Sequence, residues 1–181
     1  MKKFLLLCVL GVLSLSASAQ IYLGGTFGLD RDFTNNTTDF AISPEIGYNI
    51  NDTWGVGGTI SYQYRYEDGL KANVFDLSPY VRWTFARVVD DKLHFFVDGG
   101  FGIGLGDTKY RTLKSDTLCI WSIGFKPGVS FSFNNHWTIL THIGFLGYNG
   151  ANDAAKEVGF TNNFGLDFSS LNLNFGVYYT F

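Results

Sequence analysis

From Ile21 to the end of the chain, apolar and polar residues alternate at period two, the pattern of a strand with one apolar face. The pattern resolves into eight segments: Ile21 to Leu29, Phe40 to Ile50, Trp54 to Tyr66, Val74 to Phe85, Leu93 to Leu105, Thr117 to Phe133, Trp137 to Gly147, and a last one that ends at Phe181. In the fourth, Phe75, Leu77, Val81, Trp83 and Phe85 oppose Asp76, Ser78, Tyr80, Arg82 and Thr84. The last holds its phase from Leu171 to Phe181, but Phe164 to Phe168 has the opposite phase, which predicts a bulge or loop boundary near Ser169.

The connections alternate in length. Compact turns are predicted at Asn51-Asp52, Ala86 to Lys92 and Asn134 to His136. Longer polar loops are predicted at Arg31 to Asp39, Glu67 to Asn73, Gly106 to Asp116 and Tyr148 to Asn163, the last with a short helical turn within Ala151 to Val158. Short turns on one side and longer loops on the other are the outer-membrane arrangement, and most segments reach the ~9–11 residues that a tilted spanning strand needs. The predicted fold is all-β: an eight-stranded antiparallel up-and-down transmembrane barrel. Ten strands would result if the last loop hid a hairpin.

Two chemical features favour a membrane barrel over a soluble sandwich. Aromatic residues gather at the segment ends beside the short turns, at Tyr48, Trp54, Trp83, Phe85, Phe133, Trp137 and Phe181, as a membrane–water girdle requires. The polar phase is rich in glycine and serine, as the inside of a narrow barrel requires, and this suggests some open volume. Charges in that phase must be matched, and Glu45, Arg82, Asp98 and Lys126 each lie roughly five to eight residues from a short turn, forming one predicted layer of two acids and two bases. Arg82 and Asp98 are expected as diagonal neighbours, and Arg65 and Asp76 as a facing pair nearer the outer end.

Composition changes the picture at the N-terminus. The 181 residues are 46% hydrophobic and 16% charged, yet the one long apolar run is Phe4 to Leu15. It follows Lys2 and Lys3 and precedes Ala17-Ser18-Ala19, so residues 1–19 read as a signal peptide cleaved after Ala19, at a site set by Ala17 and Ala19, and 20–181 as the barrel. Losing Lys2 and Lys3 leaves 11 basic against 16 acidic residues, a formal charge of −5. With no basic run, nucleic-acid binding is not expected. Cys8 leaves with the signal and Cys119 remains alone, so no internal disulfide is expected.

Three segments share one signature: Ile42-Ser-Pro44-Glu-Ile46-Gly-Tyr48, Leu77-Ser-Pro79-Tyr-Val81-Arg-Trp83 and Phe125-Lys-Pro127-Gly-Val129-Ser-Phe131. All three prolines of the chain stand at this position, and Phe175 takes it in the last segment. The terminal string Asn174-Phe175-Gly176-Val177-Tyr178-Tyr179-Thr180-Phe181 matches, through Asn174, Gly176, Tyr179 and Phe181, the C-terminal signal that barrel-assembly machinery reads. With these features, Ile21 to Phe181 resembles the outer-membrane protein β-barrel domain family, which includes outer-membrane proteins A, X and W. The resemblance implies an eight-stranded barrel in the outer membrane of a Gram-negative bacterium, with both termini periplasmic. It implies no single activity.

Catalytic chemistry is not expected. His94 and His136 belong to the short-turn end, and His142 faces inward. Barrel deacylases use His-x-Ser with a nearby acid, but the nearest string here is His136-Trp137-Thr138. Asp90-Asp91 reads as turn chemistry, and Asp107, Asp116, Asp153 and Glu157 stand singly, so no metal site and no cofactor are expected. The expected role is a monomeric structural or surface-interaction barrel with a side-chain-packed lumen, meeting outer-membrane lipid and lipopolysaccharide. A narrow passive pore is the alternative, and a lipid-modifying enzyme ranks below both.

Overall fold

The computed structural model describes residues 20–32, 37–67, 70–110, 113–114, 117–157, 160–167 and 174–181. Both the signal segment, with Ala17 and Ala19, and Ser169 lie outside them. The strands are β1 (Gln20–Asp32), β2 (Thr37–Asn49), β3 (Trp54–Glu67), β4 (Leu70–Val88), β5 (Leu93–Tyr110), β6 (Leu113–Lys114), β7 (Leu118–Ser132), β8 (Trp137–His142), β9 (Phe145–Ala151), β10 (Asn163–Asp167) and β11 (Asn174–Thr180), with one short helix, α1 (Asp153–Glu157).

Every pairing is antiparallel, and β11 returns to β1 to close the ring. Eight staves result. β8 and β9 both pair with β7 and are one stave, broken where the register slips by one residue at Ile143–Gly144. β10 and β11 pair with β9 and β8 and form the last stave. The phase change predicted near Ser169 falls between these two strands. β6 is a two-residue return of the loop beyond β5.

The alternation sorts the side chains. Ile21, Leu23, Phe75, Leu77, Ile103, Trp121, Ile123 and Val177 stand exposed on the outer face. Tyr22, Glu45, Ser61, Asp98, Ser130 and Tyr178 are buried on the inner one. An apolar surface that covers so many staves is stable in hydrocarbon and not in water.

Three of the predicted outer loops are largely strand. Pairing runs on to Asp32↔Thr37, Glu67↔Leu70 and Tyr110↔Leu113. There the backbone ladder continues through residues whose apolar alternation has ended, so strand persists where the sequence reads as loop. The last loop is built as expected. Asn152 caps α1 by accepting from the Ala155 N–H at 3.0 Å, and Ala155 packs from the helix onto Leu118 and Ala151.

Two short turns use one device. Asn51 Oδ1 accepts from the N–H groups of Thr53 and Trp54, both at 2.8 Å, and Asn134 Oδ1 accepts from those of His136 and Trp137 at 2.9 and 2.8 Å. The third, between β4 and β5, places Val89, Asp90 and Asp91 at positive φ, with Val89 at 56°. A β-branched residue is strained there. Val89→Gly is therefore expected to stabilise the barrel by about 1 kcal/mol in reversible urea unfolding.

The prolines act alike. Pro44, Pro79 and Pro127 pair with the preceding stave, at Gly25, Gly58 and Val97. Toward the following stave the ladder skips them, resuming at Glu45↔Thr59, Tyr80↔Gly100 and Gly128↔His142. Each therefore opens the ladder on the same side, where its missing N–H would have donated.

Candidate functional site

The site is the layer of side chains that crosses the lumen. Its position depends on a bulge. The β4–β5 turn sets a register that runs Val88↔Leu93 to Ala86↔Phe95, then shifts by one at Phe85, so that Arg82 lies directly opposite Asp98. Without that shift the inward phases of the two strands would not coincide. The diagonal placement read from the sequence is corrected to a direct pair for this reason.

Arg82 holds Asp98 through two hydrogen bonds, Nε to Oδ1 and Nη2 to Oδ2, both 2.7 Å. It also lies 3.6 Å from Glu45. His142 Nε2 stands 2.8 Å from Asp98 Oδ2. Glu45 accepts from the Tyr80 hydroxyl, and from Tyr178 at 2.9 Å. The Tyr22 and Tyr80 hydroxyls are 2.6 Å apart. The guanidinium carbon sits 4.3 Å from the centre of the Phe96 ring, a cation–π contact within a desolvated layer. Glu45, Asp98 and Phe96 are 5%, 4% and 1% exposed.

Glycines make this layer possible. Tyr22, Tyr80, Phe96 and Tyr178 lie directly across the ladder from Gly47, Gly57, Gly128 and Gly24. A Cβ at these glycines would come within 2.1, 2.4, 2.3 and 2.2 Å of the opposing aromatic side chain. Each ring lies over the bare backbone of its partner, the aromatic–glycine pairing of curved sheets. The open volume inferred from lumen glycine and serine is present above and below this layer, while at these four glycines the space is filled by rings.

Three of the four predicted layer residues, Glu45, Arg82 and Asp98, meet. Lys126 is opposite Asp98 in the β5–β7 ladder, but its side chain makes no hydrogen bond or ion pair among the described residues. The second base at Asp98 is His142. Arg65 and Asp76 are not brought face to face. Arg65 pairs with Asp39 and Ala72, while Asp76 opposes Ser61 and accepts from Ser78 at 2.5 Å. The tight β3–β4 connection explains this, because the sequence reading gave those residues a long loop. The aromatic members of the plug and His142 were missed as members of the layer. The signal for Tyr80 was in the sequence, an aromatic in the inward phase opposite a glycine.

On either side of the plug the lumen opens. Toward the short turns lies a cavity of about 360 Å³, lined by Asn49, Asp52, Arg87, His94 and Thr180 among others. Toward the long loops lies one of about 430 Å³ that includes Gln63, Asp76, Ser122, Lys126 and Asn149.

The outer surface beside the short turns is ringed by aromatics. Trp54 stacks on Trp83 with centroids 6.4 Å apart, Trp83 continues to Phe85, and Phe85 to Phe95. At the closing seam, Tyr179 of β11 contacts His136, Trp137 and Phe181 at 5.4, 5.1 and 5.1 Å. Phe181 donates its N–H to Ile21 O at 3.0 Å, Gly176 gives room to the Tyr178 ring, and Asn174 begins the strand.

A closed barrel with an apolar belt and an aromatic girdle is the form that the outer membrane accepts. The family model described as the outer membrane protein beta-barrel domain matches residues 4–181. The chain belongs to that family. Among solved structures, this outer-membrane barrel is similar to Neisserial surface protein A, at 13% identity and TM-score 0.47, covering 90% of this chain and 96% of that one. It is also similar to Ail, the attachment invasion locus protein of Yersinia pestis, at 16% identity and TM-score 0.44, covering 90% and 93%. No curated protein matches it by sequence.

Proposed function

We propose that this outer-membrane protein is a closed barrel with a structural or surface-interaction role, not an open pore and not an enzyme. The observation that carries the reading is the plug. Arg82 binds Asp98 bidentately and approaches Glu45, and the rings of Tyr22, Tyr80, Phe96 and Tyr178 pack around these groups. An interior eight strands wide is just filled by side chains, and here they are large and mutually bonded. The chain is monomeric in this reading, with residues 1–19 removed as a signal. The turns beside the girdle and both termini are periplasmic, and the loops carrying α1 meet lipopolysaccharide or a partner. The C-terminal strand, through Asn174, Gly176, Tyr179 and Phe181, addresses the barrel-assembly machinery.

The pore reading has one observation in its favour: cavities of about 360 and 430 Å³ flank the plug, so a single layer separates them. Liposome swelling distinguishes the two. Vesicles holding the protein are expected to swell in arabinose no faster than protein-free vesicles. Swelling that scales with protein content would overturn the closed reading.

A further inference from the structure

We propose that a row of cations on the outer wall of the barrel, Arg31, Lys71, Lys109 and Lys114, is the docking site for the phosphate groups of lipopolysaccharide. The inference rests on the reading that the long loops face outward and meet that lipid, and it names the surface that does so.

Strand register builds the row. Arg31 pairs with Thr38, Thr38 with Tyr66, Tyr66 with Lys71, Lys71 with Lys109 and Lys109 with Lys114, so one unbroken cross-strand line runs over β1 to β6. The line belongs to the lipid-facing phase. Four residues lower on the first five strands stand Phe27, Ile42, Tyr62, Phe75 and Leu105, of which Phe27, Phe75 and Leu105 are more than half exposed. The intervening positions are Leu29, Phe40, Tyr64, Asn73 and Asp107. The cations therefore stand two residues, ~5 Å on a tilted strand, above the aromatic edge of the apolar belt, where lipid headgroups begin.

The charges at this rim are sorted. Residues 20–181 carry 11 bases and a formal charge of −5, yet four of the bases and no acid fall in this row. By register, Asp30, Asp32, Asp39 and Glu67 share the inward phase with Arg65. The outward acid beneath the row is Asp107, 3.8 Å from Lys109 and accepting from Asn73 at 3.5 Å. One carboxylate does not balance four cations. Lys71 and Lys109 are both exposed and directly opposite, a pairing of like charges that destabilises a ladder on its own. A multiply charged oxyanion above the row converts that repulsion into attraction. Strand spacing puts Lys114 ~10 Å and Arg31 ~14 Å from Lys71, a span suited to a headgroup with more than one phosphate. The exposed apolar wall below takes its acyl chains, which a free phosphate would leave unused.

The test is native mass spectrometry of the protein, purified from membranes in uncharged detergent, with diphosphorylated lipid A, the same lipid stripped of phosphate, and phosphatidylglycerol. Diphosphorylated lipid A is expected to be retained at least tenfold more tightly than either of the others. Lys71→Gln with Lys109→Gln is expected to weaken that retention by about tenfold or more, and to unfold in urea no earlier than the unaltered protein. Lys126→Gln with Lys156→Gln removes the same charge away from the row and is expected to bind as the unaltered protein does. Equal retention of the phosphate-free lipid would overturn the proposal, as would phosphatidylglycerol held as tightly as lipid A. So would a row variant that binds normally, or an off-row variant that loses as much. Binding in detergent has neither sidedness nor flux, so it can fail while the closed, loop-out barrel stands, and swelling can fail while the row still binds.

Discussion

Arg82→Met is expected to destabilise the barrel by about 3–5 kcal/mol, the cost of breaking a buried ion pair from one side. The side chain makes two 2.7 Å bonds to Asp98 and lies 3.6 Å from Glu45, and both acids are almost wholly buried. Without it, Asp98 keeps only His142, and Glu45 keeps two tyrosine hydroxyls. The penalty comes from leaving charge unpaired more than from losing the pair's attraction. Adding Asp98→Asn to Arg82→Met should therefore recover a large part of the loss. Reversible urea unfolding followed by tryptophan fluorescence reads both variants. A double variant as unstable as the single one would show that the charge is not the cause.

Gly128→Val is the second large effect. The position of a Cβ on Gly128 is 2.3 Å from Phe96 Cζ and 2.7 Å from the Thr141 carbonyl oxygen. Phe96 cannot swing aside freely, because Arg82 covers its face and the His142 ring meets it edge-on with centroids 5.5 Å apart. The carbonyl belongs to the neighbouring strand and cannot yield without opening the ladder. Overpacking of this kind costs about 3 kcal/mol at the upper end of its usual range. Gly165→Ala is the matched control. Nothing lies within 4 Å of its Cβ position, so a change within about 0.5 kcal/mol is expected. Equal losses at the two sites would mean that the ring-over-glycine packing does not set the cost.

The parts of the molecule that follow from period two were legible in the sequence. The inward and outward phases of the described strands, the compact turns at Asn51 and Asn134 and the common level of the prolines appear in the structure as read. What escaped depends on register, which alternation alone does not fix. The single-residue shift at Phe85 decides that Arg82 meets Asp98 directly. The tight β3–β4 connection decides that Arg65 and Asp76 are separated. Glycine was misread because its meaning lies across the ladder: Gly47 is empty space until Tyr22 is placed opposite it. Lys126 was assigned to the layer by its distance from the short turn, which gave two acids and two bases at one level. Balance was in fact reached by other means, with hydrogen bonds from Tyr80 and Tyr178 at Glu45 and with His142 at Asp98.

The most direct test of the closed lumen is single-channel recording of the purified protein in a planar bilayer across a range of voltages. The plug of Arg82, Asp98, Glu45 and the four aromatic rings predicts a silent trace. Discrete current steps of reproducible size would contradict it, and would mean that the layer opens in the membrane.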